Sequence, residues 1–390
     1  MRKIALILVL ILSILQTGCW NAREIDELGF VLSIALDKTS SGFKVTAQMA
    51  SPETYSKTPS GTGTTQKPKP FWVITSNGKT IFEAVRNMAA VSSRRIFWSH
   101  IKVIIISEQL ARGNTLEIFD FFVRNPELRL RTLIAVTPEE ASKLIDVVPI
   151  MEKDPAQYLE KIIKNEKLTG KSYSIMLKDF MEDYLDPSVG PVTSRIIFDK
   201  SKSEPVLKTS GAYVFDGNKL SATLSEKDTR GLLWIKNKMD DSIMVVNCPY
   251  DNNPVTLEIK NAKSSIKSYM EKDVPHFTIN VKVDANITEQ SCLTDFNDKQ
   301  KLHELEIALG TAISKDIQST ITMAKNMQVD FPGLSRTLHK QHKEQWHQIS
   351  SQWDKLFRNS EVAVDVKVKI HHVSLAKPLE PIKTQKKNAQ

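Results

Sequence analysis

The sequence predicts an α+β protein of more than one domain, with mixed or antiparallel sheets, packed helices, and a C-terminal sheet accompanied by two long helices. Three observations favour this class. Strand-like and helical stretches alternate over residues 29–146, long alternating strands occupy residues 255–266 and 277–287, and extended helical patterns follow at residues 302–327 and 334–357. Separate runs of strands and of helices are typical of α+β folds.

The N-terminal half is predicted to begin with a β-hairpin. Residues 30–37 and 43–49 alternate in the manner of strands around a polar turn. Residues 51–70 are almost wholly Ser, Thr, Gly, Pro and Lys, so they cannot bury apolar surface and are predicted to form a mobile loop. Further strands of this half are predicted at 72–76, 102–107 and 131–136.

Helix starts in this half are marked by short polar residues with a carboxylate behind them. Thr80 and Glu83 form a capping box, because the threonine side chain accepts a backbone hydrogen bond and the glutamate returns one. The other predicted helix starts and helical stretches are at Asn114, at Thr137-Pro138-Glu139-Glu140, at 154–165 and at 174–185.

A domain boundary is predicted near residue 200, in a polar segment that contains a proline. The N-terminal domain is then 19–200 and the C-terminal domain 201–376, which is large enough for two subdomains. The C-terminal domain is predicted to open with a hairpin at 211–215 and 219–224, and Ser225 with Asp228 marks a following helix start.

The end of the chain carries one more strand and a tail. Residues 361–371 alternate valine with polar residues, which predicts a strand with one buried and one solvated face. Residues 377–390 have no apolar content to pack and are predicted to be a disordered tail.

The first eighteen residues have the pattern of a secretory signal peptide. Two basic residues precede an apolar run over 4–15, which is shorter than the roughly 20 residues that a bilayer span needs. Cys19 directly follows Gly18, as in a bacterial lipoprotein box, although Gln16 stands where leucine is usual. We predict cleavage between Gly18 and Cys19 and acylation of Cys19 with diacylglycerol and palmitate-like chains. An ordinary signal peptide or an uncleaved anchor is the alternative.

Composition and charge favour a water-soluble portion held near a membrane. The chain is 41% hydrophobic and 25% charged, and its net charge of +8 falls to +6 without the two basic residues of the signal. This mild excess suits anionic lipid headgroups and does not argue for nucleic acid. Cys248 and Cys292 lack the spacing of a metal or redox motif. We interpret them as separate buried thiols, with a disulfide as the alternative.

No pattern of an enzyme is found. The strand that leads into Gly78 and Thr80 lacks the glycine that a phosphate-binding loop needs five residues earlier, where Val73 stands. His342 and His347 are five apart, unlike the paired histidines of a zincin helix. His339 and His342 share a helical face and are interpreted as part of a solvated basic helix. We predict a non-enzymatic protein without catalytic residues, metal site or cofactor.

Two tryptophans mark one face of the last long helical pattern. Trp346, Ile349, Trp353 and Leu356 fall on a single helical stripe. Such a stripe predicts a core-facing side, and a partner-docking face is the alternative.

Several stretches resemble one known family, the Ger(x)C spore germination lipoproteins, which are the C subunits of GerA-type germinant receptors. The resembling stretches are Gly18 to Ile25, Ala35-Leu36-Asp37, Arg95 to Ile104, Phe119 to Glu127, Gly211 to Phe215, Thr229 to Trp234 and Val364 to Ile370. They cover the mature chain in the family's order. Two stretches depart from the family pattern, at Val329 to Leu334 and at His371 to Leu375, which leaves their local turns undetermined.

The resemblance implies a function that does not involve catalysis. It implies a lipid-anchored subunit on the outer face of the inner spore membrane, which assembles with two integral-membrane subunits, of A and B type, into a receptor that triggers germination on small nutrients. The nutrient is then sensed mainly by those partners. The alternative is a solute-binding lipoprotein of an uptake system.

Overall fold

The computed structural model describes residues 24–51, 69–202 and 204–372. The predicted signal segment, Gly18, Cys19, nearly all of the predicted loop 51–70 and the predicted tail 377–390 lie outside the described residues. The strands are β1 (Leu28–Thr39), β2 (Gly42–Ala50), β3 (Phe71–Gly78), β4 (Arg95–Phe97), β5 (Val103–Ser107), β6 (Leu133–Thr137), β7 (Val192–Phe198), β8 (Leu207–Asp216), β9 (Lys219–Leu224), β10 (Ile243–Asn247), β11 (Pro254–Glu271), β12 (Val274–Gln290) and β13 (Glu361–His372).

The α-helices complete the architecture. They are α1 (Ile81–Asn87), α2 (Glu108–Ala111), α3 (Leu116–Arg124), α4 (Ala141–Leu144), α5 (Pro155–Lys164), α6 (Glu166–Thr169), α7 (Leu177–Tyr184), α8 (Glu226–Ile235), α9 (Lys299–Met327), α10 (Leu334–Gln341), α11 (Lys343–Ile349) and α12 (Trp353–Asn359). Mixed sheets with packed helices confirm the predicted α+β class. Within the described residues, no helix combines the length and the hydropathy of a membrane span.

A nine-stranded mixed sheet carries the N-terminal half. Its order is β3-β2-β1-β5-β6-β7-β8-β9, and the short β4 pairs with the start of β1. The neighbours β1, β5, β6 and β7 are parallel, whereas the pairs at both ends are antiparallel. Strands β5 and β6 are buried along their whole length because helices cover both faces of the sheet at its centre.

The large sheet continues past residue 200, where the sequence predicts a domain boundary. The hairpin β8–β9 pairs with β7, so strands from both sides of residue 200 share one set of hydrogen bonds. One contiguous apolar core also runs from β1 to the last strand. The predicted boundary therefore falls inside a continuous sheet.

A four-stranded sheet with the order β10-β11-β12-β13 forms the rest of the fold. The long strands β11 and β12 make an antiparallel hairpin, and β13 runs parallel to β12 at the sheet edge. Helix α9 packs against this sheet, and its one apolar stripe includes Leu305, Leu309, Ile313 and Ile317. The valines of β13 are only partly buried, because that edge strand is covered on one face alone.

The second of the two predicted long helices is divided into α10, α11 and α12. The division falls at His342, whose backbone angles of φ −139° and ψ 64° are not helical. Its ring nitrogen contacts the carbonyl oxygen of Ser268 on β11 at 2.8 Å, and Gln341 bonds to the same strand. These contacts bend the segment so that Trp346 and Trp353 both reach the core, as the stripe predicts.

Two of the predicted helix caps are present and one is replaced. Thr80 and Ser225 each accept a backbone N–H from the first turn of their helices. Asp154 does the same at the start of the stretch predicted to be helical over 154–165. The cap expected at Thr137 is wrong, since α4 begins only at Ala141. The carboxylate of the distant Asp37 accepts the N–H groups of Ala141 and Ser142 instead, at 2.6 and 3.0 Å.

A charged cluster joins α10 to the N-terminal half. The guanidinium of Arg336 bonds to the carboxylates of Asp183 and Asp186 near the end of α7. Burial acts to raise the pKa of Asp186, but hydrogen bonds from Ser188 and Arg336 outweigh it, so this pKa is lowered. These ion pairs attach α10 to α7 and so connect the C-terminal helices to the N-terminal half.

The turn before α10, where the sequence departs from the family pattern, is organised by one buried carboxylate. Asp330 accepts the backbone N–H groups of Gly333, Leu334 and Ser335 at 2.7 to 2.9 Å. Gly333 has φ +76°, which favours glycine. Burial raises the pKa of Asp330, and the N–H groups of Ser335 and Leu334 oppose that rise.

Candidate functional site

A groove lies between α1 and α3 in the described part of the chain. Its volume is about 840 Å³. The groove is lined by Thr80, Ile81, Phe82, Val85, Arg86, Ala89, Arg94, Arg95, Ile96, Trp98, Glu117, Asp120, Phe121, Arg124, Asn125, Pro126 and Glu127. Two of the stretches that carry the family resemblance, 95–104 and 119–127, thus meet in one place.

The periodicity of the two helices explains why this groove is apolar. Helix α1 turns Ile81 and Val85 toward the core and leaves Phe82 facing outward, 55% exposed. Helix α3 likewise buries Phe119 and Phe122, while its half-buried Phe121 lines the groove. Since an amphipathic helix of this length needs only one apolar stripe for the core, its outward apolar residues contribute a second apolar surface.

Charged side chains surround the groove with an excess of positive charge. Arg124 forms an ion pair with Asp120, with Nε at 2.7 Å from Oδ1, and Arg95 forms one with Glu127, with Nη2 at 3.4 Å from Oε1. The remaining lining charges are two arginines and one glutamate, Arg86, Arg94 and Glu117.

The two remaining arginines have no carboxylate partner among the described residues. The guanidinium of Arg86 lies over the ring of Phe82, 4.9 Å from its centroid. No ion pair is formed by Arg94 within the described part of the chain. The groove therefore combines an apolar floor with two guanidinium groups that are available to an acidic group.

The groove lies at the end of the large sheet from which the chain leads back to Cys19. Strand β4, which contributes Arg95 and Ile96 to the lining, pairs with residues 28–30 of β1. Rings of Phe30 and Phe97 contact each other at this end, 5.9 Å between centroids. Leu28 is nine positions after Cys19, and nine residues reach at most about 30 Å when extended.

The residues singled out in the sequence have different outcomes. Thr80 is a helix cap and Gly78 ends a strand, in agreement with the rejection of a phosphate-binding loop. His339 is exposed on α10, as predicted, and its ring stacks on that of Trp346, 5.6 Å between centroids. His342 differs from the prediction, because it lies between α10 and α11 and bonds to β11. Gly18 and Cys19 lie outside the described residues.

The two remaining cysteines are buried and not disulfide-bonded, as predicted, and they lie next to each other. Cys248 and Cys292 are both free thiols and both buried. Their sulfur atoms and a carboxylate oxygen of Asp251 all lie within 4.8 Å of one another. Their proximity has no signal in the sequence, because 44 positions separate the two cysteines and the pairing of β10, β11 and β12 brings their loops together.

Sequence patterns alone also missed the groove. A signal was present in apolar residues of α1 and α3, Phe82 and Phe121, which fall outside the fully buried stripe of each helix. The pattern does not indicate that the two helices lie close together in space, because they are about 35 positions apart in the chain.

Comparisons with known proteins define the class of this chain: it belongs to the spore germination GerAC family. Residues 21–197 match the profile described as spore germination protein N-terminal domain, and residues 210–374 match spore germination B3/GerAC like, C-terminal.

Individual relatives agree with this assignment over nearly the whole chain. Spore germination protein KC of Bacillus subtilis (strain 168) is 25% identical, covering 99% of both chains. Spore germination protein B3 of the same organism is 27% identical, covering 90% of this chain and 93% of the relative. The crystal structure of the GerBC protein matches with a TM-score of 0.58 at 22% identity, covering 87% of this chain and 97% of that chain, which shows a shared fold.

Proposed function

We propose that this chain is a non-enzymatic, lipid-anchored subunit of a nutrient germinant receptor and that it acts by contacting two integral-membrane partner subunits. Membership in the spore germination family supports the germination role. The observation that carries the contact role is the groove between α1 and α3, with its apolar floor and two arginines that have no carboxylate partner among the described residues. The membrane in question is the inner spore membrane, with the folded portion on its outer face.

We propose further that the groove receives a short amphipathic segment of a partner subunit that carries acidic side chains. Apolar residues of that segment would pack on Phe82, Val85 and the floor of the groove, as amphipathic helices do in hydrophobic grooves. Its acidic groups would pair with Arg86 and Arg94, which have no carboxylate partner among the described residues.

The position of the groove supports this occupant. If Cys19 is acylated, Leu28 is held within about 30 Å of the membrane surface, and β4 places the groove next to Leu28. A partner embedded in the same membrane then meets the groove at high effective concentration, so a modest contact is sufficient.

Charge reversal in the groove is expected to weaken the complex. The double substitution Arg86→Glu and Arg94→Glu replaces attraction for an acidic segment by repulsion, and we expect recovery of the partner subunits with this chain to fall at least about 10-fold. Co-purification from solubilised spore membranes measures this, and germination rate provides a second readout.

Two controls make that measurement specific. Arg131→Glu reverses a charge on an exposed residue that does not line the groove and should leave recovery unchanged. A photoreactive residue in place of Phe82 should cross-link to a partner subunit, whereas one in place of Ile307, equally exposed on α9, should not. Equal recovery of partners with the double variant would contradict the proposed contact.

Substitution of the predicted acylation site tests the anchor. Cys19→Ala is expected to move the chain from the membrane fraction to the soluble fraction and to slow germination, because each buried methylene of an acyl chain contributes about 0.8 kcal/mol to membrane binding. The folded portion should keep its circular dichroism spectrum. Cys248→Ala, a cysteine substitution elsewhere, should retain membrane binding, and equal retention of both variants would contradict the lipid anchor.

A second candidate function has one observation in its favour. The groove volume of about 840 Å³ lies in the range of small-molecule pockets, about 300–1,000 Å³, as a solute-binding lipoprotein of an uptake system would need. That function requires tight binding of one small molecule by the purified chain alone. The receptor function instead requires the partner subunits for any nutrient response.

A further inference from the structure

A three-residue cluster at one end of the four-stranded sheet has the composition of a metal site. The sulfur atoms of Cys248 and Cys292 and a carboxylate oxygen of Asp251 lie within 4.8 Å of one another. Cys248 and Asp251 follow β10, and Cys292 follows β12, so the cluster joins two loops.

The spacing within the first loop suits two residues that bind the same metal ion. Cys248 and Asp251 are separated by two residues, the interval at which paired ligands of structural zinc sites commonly occur. The loop closes tightly, since the N–H of Cys248 donates to the carbonyl of Asn253 and the N–H of Asn252 donates to the carbonyl of Cys248. Asn252 has φ +61°, and this left-handed backbone conformation turns the chain directly after Asp251.

Hydrogen bonds from outside the cluster hold its members in place. The carboxylate of Asp251 accepts the N–H of Asn253 at 3.1 Å. In the second loop, the side-chain amide of Gln290 donates to the carbonyls of Cys292 and Thr294, both at 3.1 Å. Outer contacts of this kind orient ligands in metal sites.

The distances match a tetrahedral cation of borderline softness. With Zn–S near 2.3 Å and Zn–O near 2.0 Å, ligand atoms around zinc are about 3.5 to 3.8 Å apart, so atoms within 4.8 Å need only small shifts. Two sulfur ligands select against magnesium and calcium, which prefer oxygen. The exposed side of the cluster, at Asp251, leaves a fourth position that water can reach.

We propose that Cys248, Asp251 and Cys292 bind one thiophilic divalent cation, such as Zn²⁺, with the fourth position open to solvent. Binding forms two metal–thiolate bonds and one metal–carboxylate bond, and the two thiol protons pass to solvent. The bound cation ties the β10–β11 loop to the loop before α9. This proposal is independent of the germination role and of the groove.

Metal titration of the full-length chain, purified in detergent and stripped with a chelator, tests the site. We expect one equivalent of Zn²⁺ to bind in competition with a chromophoric chelator, and Co²⁺ to give a thiolate-to-metal absorption band. Zn²⁺ should also raise the midpoint of thermal unfolding, since a ligand that binds the folded state stabilises it.

Matched variants assign the ligands. Asp251→Asn and, separately, Cys292→Ser should weaken Zn²⁺ binding at least about 10-fold. Asp295→Asn, a carboxylate in the same loop as Cys292 and outside the cluster, should leave affinity unchanged. Unfolding of each variant in chelator should match that of the parent chain, which excludes a general loss of structure.

Two outcomes would overturn the proposal. One is a chain with free thiols that binds less than one equivalent of Zn²⁺ or binds it equally well in the Asp251→Asn variant. The other is a Cys248–Cys292 disulfide in protein purified without reductant, found by mass spectrometry, because the sulfur atoms would then be unavailable as thiolate ligands.

Discussion

Replacement of Gly231 by alanine is expected to lower the free energy of unfolding by about 3 kcal/mol. Gly231 lies where α8 crosses α9. A Cβ atom at this position would lie 2.1 Å from Thr320 Oγ1 and 2.3 Å from the carbonyl oxygen of Asp316. The second of these atoms belongs to the backbone of α9, so the clash cannot be relieved by a change of rotamer.

The contacts around Gly231 make the shift of α9 costly. Arg230 pairs with the buried Asp316, with Nε at 2.6 Å from Oδ2, and the hydroxyl of Thr320 donates to the carbonyl of Asp228 at 2.8 Å. Moving the helices apart by the distance a methyl group needs would lengthen both interactions. The resembling stretch Thr229 to Trp234 therefore has a packing reason for its glycine.

A second glycine in the partner helix provides the matched control. Gly310 lies inside α9, and a Cβ atom there would meet nothing closer than Val368 Cγ2 at 3.6 Å. Gly310→Ala is therefore expected to stabilise the protein by about 0.5 to 1 kcal/mol, since glycine disfavours a helix interior. Denaturant unfolding of both variants gives the comparison, and equal effects of the two substitutions would contradict the close crossing.

Replacement of Asp330 by alanine is expected to cost about 3 to 5 kcal/mol. Asp330 is buried and accepts three backbone N–H groups, and the substitution would leave these donors without their acceptor. Each buried unsatisfied group costs about 1 to 3 kcal/mol. Asp330→Asn keeps one acceptor oxygen, so we expect a smaller loss.

An exposed helix cap supplies the control for Asp330. Asp298 also accepts backbone N–H groups, those of Gln300 and Lys301 at the start of α9, but water can replace its carboxylate there. Asp298→Ala should cost only about 1 kcal/mol. The loss of unfolding free energy in each of the three variants is obtained from the shift of its denaturant midpoint, provided that the dependence of that free energy on denaturant concentration is unchanged. If Asp330→Ala and Asp298→Ala lower the free energy of unfolding by similar amounts, burial of the Asp330 carboxylate does not increase its contribution to stability.

Local interactions explain which elements the sequence predicts well. The caps at Thr80, Asp154 and Ser225 each involve residues within three positions of one another, so the sequence contains both partners. The strand pairs β1–β2 and β8–β9 are likewise joined by tight turns with recognisable residues. Their location depends little on the rest of the chain.

Long-range contacts explain the differences from prediction. Helix α4 begins at Ala141 because Asp37, more than a hundred positions away, supplies its cap. The helix break at His342 depends on its contact with Ser268, 74 positions away. Neither partner can be recognised from the residues next to the affected helix.

The sequence alone indicates most of the long strands and several helix starts, but not β4, β7 or β10. It also provides the predicted signal and acylation pattern around Cys19 and the family resemblance. These properties depend on neighbouring residues or on motifs read in chain order. Only the tertiary structure decided that β8 and β9 join the large sheet, that α1 and α3 enclose a groove lined by several arginines, and that Cys248 and Cys292 are adjacent. Those features depend on which distant segments pack together. Burial of apolar surface stabilises any pairing that excludes water, so the residues next to a segment do not indicate its partner.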